Sequence, residues 1–119
     1  MERRPRILVA EDEPQHAEHL ARSLKSLGME VVGPVASVAD GLKLVRVDPA
    51  IDGAVLDVML GREDVFPLAD ALIGHNLPLL FTIGEDVLAI PRSYARIPRC
   101  GKPATPDSLA DVLGSLLEA

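Results

Sequence analysis

Five short apolar runs recur along the chain: RILVA at 6–10, MEVVGPV at 29–35, GAVLD at 53–57, LPLLFTI at 77–83 and ARIPRC at 95–100. Their apolar character is continuous rather than alternating, which marks strands covered on both faces and hence a parallel sheet. Helical periodicity fills the intervals. Ala17, Leu20, Ala21, Leu24 and Leu27 form one stripe that opens after Glu13 and Pro14 and stops at Gly28. Ser37 can cap a second helix carrying Val38, Leu42 and Val45, and Pro49 requires it to end near Asp48. Pro67 opens a third through Leu68, Leu72 and Ile73, with Gly74 close to its end and His75 and Asn76 terminating it. Thr105 caps the last, with Pro106 in the first turn and Leu109, Val112, Leu113, Leu116 and Leu117 at spacings of three and four.

Strand and helix alternating in this way predict a doubly wound α/β domain, a five-stranded parallel sheet with helices on both faces, because parallel neighbours need right-handed crossovers. The fourth helix is due within GEDVLAIPRSY, 84–94, where Pro91 leaves room for at most about two turns. That helix is expected to be short or irregular. At 119 residues the chain suits a single domain over 1–119.

Such sheets bind ligands outside the carboxyl ends of their strands. Glu11 and Asp12 end the first predicted strand, Asp57 the third, and Lys102 follows the fifth, so these charges converge on one edge. Carboxylates crowded in one cleft raise one another's pKa unless a cation joins them. Mg²⁺, which takes one or two carboxylates, waters and a phosphate, suits an open acidic cleft.

The segments ILVAEDE, LDVML and GKP resemble the three signature segments of the response regulator receiver domain, in the right order and at about the right separations across the whole chain. The resemblance implies a flavodoxin-like strand order 2-1-3-4-5. It implies that Asp57 is the phosphoacceptor for a histidine kinase's phosphohistidine, that Glu11 and Asp12 hold Mg²⁺ with Asp57 and the backbone carbonyl of Met59, and that Lys102 pairs with phosphoryl oxygens. Pro103 matches a proline whose preceding peptide bond is often cis. The implied partners are a sensor histidine kinase or phosphotransfer protein and a downstream protein. Beyond accepting phosphate, self-phosphorylation from small donors and slow self-dephosphorylation are the only chemistry implied.

Two positions depart from the family. Receivers usually carry Thr or Ser at the end of the fourth strand, where this chain has Ile83 followed by Gly84; Thr82 comes one residue early and would serve only if the strand bulges or ends differently, since a one-residue shift reverses the face. Three residues before Lys102, where many receivers have an aromatic, stands Arg99, and Tyr94 is too far upstream to replace it. LPLLFTIG is also similar to the PFxFATGY segment of a stand-alone receiver family: Pro78, Phe81 and Gly84 match, Thr82 and Ile83 replace its Ala-Thr, and Glu85 its Tyr.

The remaining composition narrows the function. A net charge of −6 argues against direct nucleic-acid binding. Cys100, the sole cysteine, excludes an internal disulfide and reads as core filler. The sequence carries no signal-peptide pattern and no apolar run of membrane-spanning length, so a cytoplasmic location without membrane insertion is expected. His16 and His19 lie three apart, too few ligands for zinc. Three functions compete: a single-domain response regulator, a pseudo-receiver adaptor that binds regardless of phosphorylation, and a small Mg²⁺-dependent phosphohydrolase. The last is disfavoured because the chain has no second catalytic acid beside Asp57. Oligomeric state is left open.

Overall fold

A computed structural model describes residues 3–84 and 90–118. Each apolar run becomes a strand of one sheet: β1 (Arg6–Ala10), β2 (Glu30–Val35), β3 (Gly53–Asp57), β6 (Leu79–Ile83) and β7 (Arg99–Gly101). The helices are α1 (Pro14–Ser26), α2 (Val38–Val47), α3 (Phe66–Gly74) and α4 (Pro106–Glu118). The sheet order is β2-β1-β3-β6-β7, with β1 parallel to β2 and β3, β3 to β6, and β6 to β7. In chain order these five strands run 2-1-3-4-5, as expected. A short antiparallel hairpin, β4 (Met59–Leu60) with β5 (Glu63–Asp64), follows β3 and lies outside the main sheet. Of the segment due to carry a fourth helix, residues 85–89 lie outside the described residues, and Arg92–Tyr94 form a single 3-10 turn.

Strand residues alternate between two apolar layers. Leu8, Ala10, Ala54, Leu56, Leu79 and Phe81 pack with Val45, Leu68 and Leu72 of α2 and α3. Ile7, Val9, Val55, Leu80 and Cys100 pack with Leu20 and Leu24 of α1 and with Leu109 and Leu113 of α4. Both faces of the sheet are thus covered, which explains why the apolar runs are continuous in sequence. Each fully buried leucine contributes about 1.5 to 3 kcal/mol, and this burial fixes the carboxyl ends of the strands in space.

Helix ends follow local chemistry. The Glu13 carboxylate accepts from the backbone N–H groups of Gln15 and His16, and the Ser37 hydroxyl from that of Asp40. Thr105 Oγ1 accepts from Ser108 N at 3.1 Å. His75 caps α3, followed by Asn76 in the left-handed region at φ 58°. On edge strand β2, Gly33 has φ 94°, and a Cβ there would stand 2.9 Å from Val35 N and 3.1 Å from Val9 O. The β1–β2 register shifts between Leu8 and Ala10 beside it. Glycine alone fits this close approach without strain.

Candidate functional site

Glu11, Asp57 and Lys102 meet at the carboxyl edge because each directly continues or ends a core strand. Glu11 follows β1, and its N–H donates to Val35 O at 2.9 Å. Asp57 is the last residue of β3, and Lys102 follows β7 with its N–H donating to Ile83 O at 2.9 Å. Lys102 Nζ donates to Asp57 Oδ2 at 2.5 Å and pairs with Glu11 Oε1 at 3.2 Å. Asp57 Oδ1 accepts from Met59 N at 3.4 Å, and Glu11 Oε2 from Glu13 N at 3.2 Å. Asp12 is exposed beside them. One oxygen from each of Glu11, Asp12 and Asp57 lies within 4.8 Å of the others. The Lys102–Pro103 peptide bond is cis.

Burial and charge set the two inner carboxylates apart. Burial pushes the Asp57 carboxyl above its ordinary value; the hydrogen bond and charge of Lys102 work against this and those of Glu11 with it, and the outcome is a raised pKa. For Glu11, burial pushes the same way, but hydrogen bonding with His16 and Asp57, the Glu13 N–H and the charge of Lys102 together bring its pKa below the usual value. Burial opposes the charge on Lys102, and the two carboxylates, Asp57 first, reverse that and raise its pKa. The crowded charge, balanced by one lysine, is what a hard divalent cation would relieve, and the donor set is all oxygen. Glu11, Asp12 and Asp57 therefore fit Mg²⁺.

Thr82 is brought close but not into this network. The β3–β6 register runs unbroken from Ala54 opposite Leu79 to Asp57 opposite Thr82, with no bulge between them. Thr82 is wholly buried, in line with Cys100 of β7 on its other side, and Thr82 Oγ1 has no hydrogen-bond partner among the described residues. Ile83, half-buried, packs against the opposite layer together with Ile90, Tyr94 and Ile97. Arg99 is exposed on the edge strand. Met59 lies in β4, its backbone N–H turned to Asp57. A groove of about 840 Å³ lined by Arg3, Asp52, Ile73, Leu77 and Leu117 holds none of the site charges.

Sequence reasoning passed over three contributors. His16, considered only as a zinc ligand with His19, hydrogen-bonds Glu11 through Nδ1, while His19 Nε2–H donates to Ala104 O at 3.1 Å. The β4–β5 hairpin carries Glu63, whose carboxylate accepts from Val38 N at 2.9 Å and tethers the start of α2. Tyr94 stacks on Phe66 with centroids 4.7 Å apart and donates to Asp70 Oδ1 at 2.7 Å. The position of His16 in the first turn after EDE was the one available signal, because a first-turn side chain lies over the strand end that precedes it.

No protein-family model and no curated protein matches the chain. Among solved structures, it is similar to SdrG from Sphingomonas melonis Fr1, with 37% identity, TM-score 0.87 and coverage of 98% of this chain and 99% of that one. The signal receiver domain of a modulated diguanylate cyclase from Desulfovibrio desulfuricans G20 matches at 27% identity and TM-score 0.80, over 97% of this chain and 94% of that one. The receiver domain of the hybrid histidine kinase CckA matches at 25% identity and TM-score 0.74, over 94% and 98%. With the strand order, the converging Glu11, Asp57 and Lys102 and a relative alike over almost its whole length, the chain belongs to the response regulator receiver domains.

Proposed function

We propose that the protein is a single-domain response regulator that accepts a phosphoryl group on Asp57 from the phosphohistidine of a sensor kinase or phosphotransfer protein and signals through protein contacts. The observation that carries this reading is the 2.5 Å Lys102–Asp57 pair beside two further carboxylates at the carboxyl edge. An Asp57 oxygen attacks phosphorus, the P–N bond breaks, and its electron pair leaves with the imidazole, giving an acyl phosphate. Asp57 must be ionised to attack, and Lys102 favours that state. Lys102, a compact point charge, then turns to the phosphoryl oxygens.

Glu11, Asp12, Asp57 and the Met59 carbonyl are the groups that would hold Mg²⁺. Bound there, the ion supplies neutralisation of charge on the transferring group. A BeF3-activated conformation has been determined for SdrG, which supports a phosphoryl-responsive reading of this relative. Ile83 in place of a hydroxyl favours a second reading, a phosphorylation-independent adaptor.

Incubation with acetyl phosphate and Mg²⁺, followed by intact mass, separates them. The regulator gains one phosphoryl group in wild type and none in Asp57→Asn. Asp12→Asn lowers the yield and weakens Mg²⁺ binding by about tenfold or more. A wild type of unchanged mass supports the adaptor.

A further inference from the structure

Among the described residues Glu11 is the most enclosed charge, its side chain having no exposed surface. A long, flexible carboxylate in such a place keeps one orientation only if donors hold it. Three do so: Glu13 N on Oε2, and Lys102 Nζ and His16 Nδ1 on Oε1. Lys102 is shared with Asp57 and is the group that turns to the phosphoryl oxygens in the proposed reaction. His16 alone is dedicated to Oε1.

We propose that His16 is a positioning residue of the metal site: its Nδ1–H holds Glu11 in place beside Asp12 and Asp57, so that the acidic cluster is set before a cation arrives. This rests on the Mg²⁺-dependent reading above and names a residue that reading did not include. An ionised carboxylate only accepts, so the proton of this bond belongs to Nδ1. His16 Nε2 is buried without a partner among the described residues. Among the described residues the ring's hydrogen bond is thus made to Glu11 alone. The ring itself is held. The His16 backbone N–H donates to Glu13 Oε2 at 2.6 Å in the cap of α1, the ring lies 6.2 Å from and nearly parallel to that of His19, and His19 is tied to Ala104 O. The helix N-terminus thus carries a donor aimed back at the strand end it follows, and donors behind a ligating carboxylate act on affinity without touching the ion.

The test uses the full chain as wild type, His16→Leu, His16→Asn and His16→Gln, with Mg²⁺ affinity read from amide shifts of residues 10–13 and 57–59 during titration. Asparagine places an amide N–H near Nδ1, whereas glutamine places it near Nε2. Leucine is expected to weaken Mg²⁺ about tenfold, and asparagine to recover most of that loss. Equal Mg²⁺ affinity for leucine and wild type overturns the proposal, as does asparagine no better than leucine. If the leucine variant fails to fold, the remaining pair decides: asparagine binding more tightly than glutamine supports the role, and equal binding overturns it. A wild type with no response to Mg²⁺ overturns the metal site itself, and the positioning role with it. A responsive wild type matched by His16→Leu removes only the role of His16.

Discussion

Thr82→Val isolates a buried hydroxyl next to Asp57. The side chain is 0% exposed, stands in register between Asp57 and Cys100, and gives Oγ1 no partner among the described residues. Valine has the same shape and is equally suited to a strand. Folding removes the hydroxyl from water without replacing its hydrogen bonds, a penalty of about 1 to 3 kcal/mol. Replacing it by a methyl group should therefore stabilise the protein by about 1 to 2 kcal/mol. For a chain of this length that corresponds to a rise in Tm of roughly 3 to 10 °C. Urea denaturation of the metal-free proteins at pH 7 measures it, with an unchanged m-value required so that the shift in midpoint is a shift in stability. In the acetyl phosphate assay the variant should be phosphorylated as fully as wild type, since Asp57 takes its hydrogen bonds from Lys102 and Met59 N and not from Thr82. A midpoint equal to or below that of wild type would refute the reasoning by showing that the hydroxyl is satisfied in the folded state. Loss of phosphorylation in a stable variant would place Thr82 in the reaction after all.

Three further outcomes follow from the packing and charge. Because burial, with Glu11, raises the folded Asp57 pKa, its ionisation weakens the fold: that stability is fully present below the ordinary aspartate value of 3.8 and lost as pH rises through the folded value. Metal-free Asp57→Asn should thus have the higher urea midpoint at pH 7, the advantage vanishing below pH 3.8; a lower midpoint at pH 7 would refute it. Gly33→Ala should destabilise by about 2 kcal/mol or more, since it combines a left-handed φ with backbone atoms 2.9 and 3.1 Å from the new Cβ. Thermal melts check this, and an unchanged Tm would contradict it. Tyr94→Phe removes the bond to Asp70, which, with desolvation adding, holds the phenol at about 12. The variant should lose about 0.5 to 1 kcal/mol below pH 10, a difference that fades as pH rises towards 12; denaturation at pH 8 and pH 12 compares them, and a constant difference would refute it.

The sequence by itself determined the sheet, the helices and the gathering of four charges on one edge. Strand and helix identity are carried by local periodicity: GAVLD is a strand because every one of its residues is buried between two layers, and the stripe on α1 is a helix because its apolar residues recur every three or four positions. Strand ends in a parallel sheet all point the same way, so Glu11, Asp12, Asp57 and Lys102 could be placed together before any distance was known. What the tertiary structure decided was which side chains meet within that edge. The register of β6 against β3 put Thr82 in the sheet interior and Ile83 in the opposite layer, because a period of two gives each strand residue a face and only the pairing fixes where the strand ends. The β4–β5 hairpin is two residues on each side, too short for alternation to reveal. Tyr94 reached Phe66 and Asp70, and His16 turned back onto Glu11, through contacts between elements whose relative placement comes from packing rather than from any local pattern. Periodicity reports the environment of a residue, while the identity of its neighbours is settled only when the layers close around it.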